Sequence, residues 1–579
     1  MIKENFIRLF EDSFRVNWDL PAFSNYGEAV TLSYGDISKK IAELHILFDL
    51  SGLKNNDKVA LIGRNNANWA ITYLATITYG AVIVPILQDF NPNDVHHITN
   101  HSEAKILFVG DAIWENLEEE KLTNIKYVFS LSDFSCVTVL NKSSQNTNSF
   151  EDENDELNLS ANSSDLVSVN CDEISRIFAE KYPFGFHKDN VRYVDKSNSE
   201  IVSINYTSGT TGFSKGVLTS GNALAGNVTF GLQSKLVAPQ SRIVSFLPLA
   251  HAYGCAFDFL TPICAGSHIY FIGKTPAAKI LLKAFAEIKP NVIFCVPLII
   301  EKIYKKQIQP MLAKSSIRWV LSIPFLDQQV LAQIRKKLID AFGGEFTEIV
   351  VGGAPLNAEV EDFFYKIKFP FTVGYGMTEC GPLISYSNAK EFLPKSSGKL
   401  LETMEAKILH PDNQTGVGEI CVRGENLMSG YFKNEEATSQ ILDSDGWLHT
   451  GDVGTVDLEG NIFIRGRNKT MILSSSGQNI YPEEIEAKLN NMPYVLESLV
   501  VENEGRLVAL VCPDYEAIDA EGVENSQLDI LMEENRKELN AIVASYESVS
   551  KIKLYPNEFE KTPKKSIKRY LYSTGIYNS

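Results

Sequence analysis

Residues 206–216 read YTSGTTGFSKG, directly after the β-branched run 201–204. That run has strand composition, and the residues after it cannot continue a strand. Gly209, Gly212 and Gly216 permit backbone conformations that turn successive N–H groups into one concavity. The hydroxyls of Thr207, Ser208, Thr210 and Thr211 add donors, and Lys215 adds a cation. A loop of this kind suits the β- and γ-phosphates of a nucleotide. Its spacing is not G-x-x-x-x-G-K-[ST], so a P-loop kinase is disfavoured. An ordinary Gly/Ser/Thr turn is the bland alternative, and the whole string weighs against it.

Working outward, residues 57–86 read DKVALIGRNNANWAITYLATITYGAVIVPI. A β-rich run at 59–62 ends in a glycine turn. A helical stretch follows around 69–79, then a second apolar run at 81–86. That βαβ-like alternation predicts a parallel sheet with crossover helices. Strand candidates recur at 105–109, 291–296 and 348–351. Between 141 and 168 the pattern collapses into a polar, acidic tract, expected to be a long surface insertion. A second compositional change falls at 466–469. Beyond it come a strand–turn–helix reading, a strand at 507–511 and a charged amphipathic helix at 528–546. The expected fold class is α/β. A large N-terminal domain (1–465) carries mixed and parallel sheets with helices, and a small mobile α+β C-terminal domain (466–579) follows.

Bulk properties set the outer limits. The chain has 579 residues, 44% hydrophobic and 22% charged, the usage of an ordinary globular protein with a large core. Its net charge of −18 argues against nucleic-acid binding, which needs a basic surface. A polyanion such as ATP must then be drawn in by local charge, with Mg²⁺, against the overall field. The eight cysteines are scattered without C-x-x-C pairs, so buried thiols are expected rather than disulfides or zinc. Residues 1–10 carry charges and no cationic region followed by an apolar run, so a secretory signal is not expected. The most apolar stretch, 255–272, is interrupted by Asp258, Pro262 and His268, which argues against a bilayer span. The expected location is cytoplasmic, with peripheral membrane contact left open.

Further motifs follow the glycine loop in order. They are PLAHAYG at 248–254, VVGGAPL at 350–356, GYGMTE at 374–379, GWLHTGD at 446–452, IRGRNKTMI at 464–472 and SSGQNIYPEEIE at 475–486. Together they resemble the adenylate-forming superfamily of acyl-CoA synthetases, peptide-synthetase adenylation domains and luciferases. The likeness is strongest to the long-chain fatty-acid CoA ligase branch. It implies ATP-dependent activation of a carboxylic acid to an acyl-adenylate, then transfer of the acyl group to coenzyme A with AMP as the other product.

The resemblance also assigns roles. The loop Thr207, Ser208, Gly209, Thr210, Thr211, Gly212 and Lys215 would hold phosphates. The segment Gly352, Gly353, Ala354 and Pro355 would meet adenine. In Gly374, Tyr375, Gly376, Met377 and Thr378, the tyrosine would lie against the base and the threonine would bond the α-phosphate. Glu379, with Thr207, would hold Mg²⁺, a hard cation that prefers oxygen ligands. Asp452 would accept the ribose hydroxyls, supported by Ile464 and Arg467. His251 would lie beside the acyl carboxylate, Lys469 would serve as the hinge, and Gly477 would face the pantetheine. Phe257, Phe259 and residues 294–297 are candidate acyl-pocket residues.

One position departs from the family pattern. The C-terminal lysine expected to reach the carboxylate and α-phosphate is replaced by Ser566 in the most natural alignment of EKTPKKSIKRYLY. Lys565 can substitute if the loop shifts by one residue. Lys564 and Lys568 are weaker candidates. Two alternatives therefore stand beside the main reading. One is a same-fold enzyme that takes another acid or loads a carrier-protein thiol. The other is a catalytically weak acyl-adenylate or acyl-CoA binding protein.

Overall fold

The computed structural model describes residues 2–140, 171–207, 214–273, 277–313, 326–473, 478–503, 505–562 and 566–572. Its largest sheet has eight strands among these residues. In spatial order they are Gly430–Tyr431, Lys215–Ser220, Ile201–Thr207, Val82–Ile86, Lys58–Ile62, Ala104–Val109, Tyr127–Ser130 and Cys136–Val139. The five strands from Ile201–Thr207 to Tyr127–Ser130 run parallel to one another. Val82–Ile86 is buried along its whole length, as expected of a parallel strand covered on both faces.

The alternation read in residues 57–86 appears as strand Lys58–Ile62, helix Ala67–Tyr79 and strand Val82–Ile86. Both helix ends have local causes. The Asn66 side chain accepts from the Trp69 N–H at 2.7 Å. Gly80, at φ 101°, stops the helix in the left-handed region.

A second sheet joins Arg242–Ser245, His268–Phe271, Pro21–Asn25 and Thr31–Ser33. A third, fully parallel, joins Ile293–Cys295, Ile349–Val351 and Phe371–Val373. An antiparallel sheet follows, made of Met404–Leu409, Gly418–Gly424, Leu448–Val456 and Ile462–Arg467. The last of these strands runs through positions 465 and 466, and the chain turns at 468–470.

The C-terminal part has its own core. Strands Val495–Asn503 and Arg506–Pro513 pair antiparallel, and Val549–Leu554 adds parallel to the second. Helices Pro482–Leu489 and Asn525–Ile542 contribute Ile485, Leu489, Met532 and Leu539 to a cluster distinct from that of the larger part. The two parts touch. Lys305 Nζ donates to the carbonyl of Asn490 at 2.8 Å, and Asn357 Nδ2 donates to Asn491 Oδ1 at 2.5 Å.

The acidic tract 141–168 lies outside the described residues. All eight cysteines are free. Five are buried, Cys136 and Cys264 are half-buried, and Cys171 is exposed, contrary to the expectation for that one thiol. Among the described residues no helix is long and apolar enough to cross a membrane.

Candidate functional site

The glycine loop is the connection of an antiparallel hairpin. Thr207 ends one strand, Lys215 starts the next, and the two are register partners. The Thr207 hydroxyl donates to the Lys215 carbonyl at 3.5 Å. Ser208, Gly209, Thr210, Thr211 and Gly212 lie outside the described residues, so only the two ends of the loop are placed.

One of those ends, Lys215, is linked to Glu379 through Tyr431. Lys215 Nζ sits 5.0 Å from the ring centroid of Tyr431. The Tyr431 hydroxyl donates to Glu379 Oε1 at 2.8 Å. Tyr431 can do both because its short strand pairs antiparallel with the strand that Lys215 opens, opposite Val217. The Glu379 carbonyl also accepts from the Met428 N–H at 2.8 Å, which ties the single turn Thr378–Cys380 to the segment leading into that strand. Glu379 is 9% exposed, and its orienting partner is a neutral hydroxyl rather than a cation. A nearly buried carboxylate of this kind suits a hard metal ion.

A second chain of contacts runs through Tyr375. Its hydroxyl donates to Asp452 Oδ2 at 2.7 Å, and Arg467 Nε lies 3.1 Å from Asp452 Oδ1. Arg467 is the cross-strand partner of Asp452, which explains the reach. Burial pushes the Asp452 carboxyl above its ordinary range. Arg467 and the Tyr375 hydroxyl oppose the rise, and the charge of Glu379 adds to it. Burial likewise drives the Tyr375 phenol well upward, with Asp452 adding to it, so it stays a donor.

Gly352, Gly353, Ala354 and Pro355 follow the end of strand Ile349–Val351, and Gly374 follows the end of Phe371–Val373. The Gly374 N–H donates to the Val351 carbonyl at 2.9 Å, so the two segments emerge side by side. Carboxyl ends of adjacent parallel strands are a general location for ligand clefts in open α/β sheets. Gly353 to Pro355 are exposed there, as is Gly376. Gly376 and Met377 turn back against Pro382 and Leu383, and the Met377 N–H donates to the Pro382 carbonyl at 2.9 Å.

The remaining positions are more dispersed. His251 is half-buried in a turn, with its N–H on the Pro248 carbonyl at 3.0 Å. Ile464 is half-buried in strand Ile462–Arg467, and Lys469 is exposed in the turn after it. Gly477 and Lys565 lie outside the described residues. Phe257 and Phe294 pack together at 6.0 Å. Phe259 packs instead on Trp69, Tyr73 and Phe23, deeper in the core.

Two residues of the site were not singled out from sequence. Tyr431 lies 52 positions from Glu379, and no local pattern pairs them. Tyr253 belongs to the PLAHAYG motif, where only His251 drew notice. Its hydroxyl donates to the Val350 carbonyl at 2.9 Å, and its ring lies 3.2 Å from where a Cβ on Gly352 would sit. Its place inside a motif already quoted is the signal the sequence offered. Tyr253 opens the π-helical turn Gly254–Leu260, a rare element found often at functional sites.

Solved structures share this architecture, with a large N-terminal and a small C-terminal domain. ATP-bound MatB from Rhodopseudomonas palustris matches with a TM-score of 0.71 at 20% identity, covering 98% of each chain. The o-succinylbenzoate CoA synthetase MenE from Bacillus subtilis, in complex with its acyl-adenylate intermediate, matches at 0.70 and 19% identity over 99% of each chain. Among curated proteins, the chain is 26% identical over 520 residues to the long-chain-fatty-acid–CoA ligase ACSBG2 of Homo sapiens. That alignment spans 85% of this chain and 72% of the human one. The AMP-binding enzyme family matches residues 10–432, and the chain belongs to that family.

Proposed function

We propose that this protein activates a long-chain fatty acid with ATP and passes the acyl group to coenzyme A. One observation carries the reading most directly. Tyr431 links Lys215, against its ring, to Glu379, on its hydroxyl, and the short segment 375–379 joins Glu379 to the Tyr375–Asp452 hydrogen bond. A nucleotide lying along this line has its ribose hydroxyls on Asp452 and its phosphates toward Lys215. The similarity to a relative named as a long-chain-fatty-acid–CoA ligase supports the choice of acid. Burial of each methylene, worth about 0.8 kcal/mol, gives a physical basis for selecting chain length.

In the first step a carboxylate oxygen bonds to the α-phosphorus, the α–β bridging P–O bond breaks, and pyrophosphate leaves. Both reactants are anions, so catalysis is a matter of neutralising charge and aligning them. Thr207 and Lys215, with Ser208 to Gly212 between them, hold the outer phosphates, and Thr378 bonds the inner one. Glu379 and Thr207 are oxygen donors suited to Mg²⁺, which supplies neutralising charge on the phosphates when bound. Tyr375 positions Asp452 for the ribose, and the Arg467 guanidinium favours the charged form of that carboxylate against its burial. Gly352 to Pro355 border the base, His251 the acyl carboxyl, and Lys565 supplies the remaining cation. In the second step the thiol sulfur bonds to the acyl carbon, the thiol proton is lost, and AMP leaves. Residues 466–579 form the small domain, hinged at Lys469, and Gly477 borders the thiol path.

The test is product analysis by mass spectrometry after incubation with ATP, Mg²⁺, coenzyme A and a mixture of acids. Acyl-CoA, AMP and pyrophosphate are expected, with long-chain acids consumed first. ADP as product, or no acid consumed at all, overturns the proposal.

A further inference from the structure

We propose that Glu419, Cys421 and His449 form a binding site for a soft divalent cation of the zinc class, separate from the nucleotide cleft. Glu419 and Cys421 alternate along strand Gly418–Gly424 and so project from the same face of the sheet. His449, on strand Leu448–Val456, is the register partner of Cys421. Their ligand atoms all lie within 4.8 Å of one another. Cys421 Sγ is 3.6 Å from His449 Nδ1, and the same nitrogen is 3.4 Å from Glu419 Oε2.

Those separations can be compared with the needs of an ion. Zinc bonds of about 2.3 Å to sulfur and about 2.0–2.1 Å to nitrogen and oxygen, at tetrahedral angles, require ligand spacings of roughly 3.5 Å for S···N and roughly 3.3 Å for N···O. Both separations that involve His449 are close to that geometry, and the third, between Glu419 and Cys421, is within 4.8 Å. The supporting contacts point the same way. The other imidazole nitrogen, Nε2, lies 3.9 Å from Asp443 Oδ2, longer than a hydrogen bond, so a carboxylate stands beside the far side of the imidazole. The Gly451 N–H donates to Glu419 Oε1 at 3.1 Å, which leaves Oε2 on the side of the imidazole. Lys407, directly across from Cys421, lays its ammonium 4.1 Å from the Trp447 ring centroid, where the ring face holds it.

A thiolate, an imidazole and one carboxylate select zinc-like ions over magnesium, so this donor set does not compete for the ion of the ATP reaction. Three protein ligands leave a fourth position for water. An ion here ties two strands together just before Asp452. Spacing motifs built on C-x-x-C could not reveal such a site, because its ligands come from two strands and only one is a cysteine.

Cobalt(II) is the probe. Titrated into the full chain in metal-free buffer, it is expected to give a thiolate-to-cobalt charge-transfer absorption at one equivalent, which zinc then abolishes. Cys421→Ser and His449→Gln are expected to lose that absorption, while Cys171→Ser keeps it. Asp443→Asn is expected to keep the absorption, because Asp443 is not a ligand. Circular dichroism of each metal-free variant checks the fold, and His449→Gln carries the test if Cys421→Ser does not fold. Absence of the absorption in the parent chain, or its survival in both ligand variants, overturns the proposal. Neither readout depends on acid activation.

Discussion

Tyr431 concentrates the logic of the site in one side chain. Its ring faces the Lys215 ammonium and its hydroxyl orients Glu379. Tyr431→Phe keeps the ring and removes the donor. A hydrogen bond to a charged group is worth about 1.5–3 kcal/mol, so acyl-adenylate formation is expected to fall by about 10-fold to 100-fold. ATP–pyrophosphate exchange measures it, and an unchanged rate would remove Tyr431 from the mechanism. Lys565 tests the departure at Ser566. Lys565→Ala is expected to slow adenylate formation by about 100-fold or more, the usual cost of losing a positioned charge contact. Thioester formation from supplied acyl-adenylate should be nearly unchanged. Equal slowing of both steps would assign the cation elsewhere. At this scale the sequence revealed residues that stand in runs, such as Tyr375 and Glu379. It could not reveal Tyr431, because its partner is brought to it by strand pairing rather than by spacing.

At the scale of elements, close backbone approach and burial decide what is tolerated. Gly376 pairs with Leu383 so closely that an added Cβ would lie 2.3 Å from the Pro382 carbonyl oxygen. Gly376→Ala must therefore push the two segments apart. The expected result is a loss of about 1–3 kcal/mol in thermal unfolding, with a weakened affinity for ATP. Normal stability and normal ATP binding would contradict the close approach.

His45, on helix Tyr34–Leu50, bonds through Nε2 to the Ala75 carbonyl and the Thr78 hydroxyl, each at 3.1 Å. Desolvation pushes its imidazole down to about 4; the Ala75 carbonyl opposes this, and the Lys181 ammonium adds to it. The folded value lies below the unfolded value near 6.5, so the unfolded chain takes up the proton first. This contribution to stability is complete above pH 6.5 and is lost as pH falls toward 4, by up to about 3 kcal/mol. His45→Gln is expected to flatten the decline of Tm between pH 6.5 and 4. A decline as steep as the parent's would place the acid sensitivity on other groups. The helix and strands of residues 57–86 were legible because periodicity and caps agree there. The two-residue strand Gly430–Tyr431 was not, because it is too short to carry a period and exists only through its neighbour.

Across the whole molecule, the two cores meet at few polar contacts, and one of these has a particular form. Lys305 Nζ bonds to the carbonyl of Asn490, the residue that ends helix Pro482–Leu489. A cation at the final turn of a helix satisfies an orphan carbonyl and complements the dipole. The smaller core thus borrows the cap of its first helix from the larger one. Any reorientation that parts them strips that cap, and the helix end frays into solvent. The amides around 486–492 therefore act as a built-in gauge of where the small domain stands. Their hydrogen exchange is expected to quicken several-fold when ligands favour the orientation without this contact, and to quicken constitutively in Lys305→Ala. Exchange indifferent to both would mean that the helix holds its end without help.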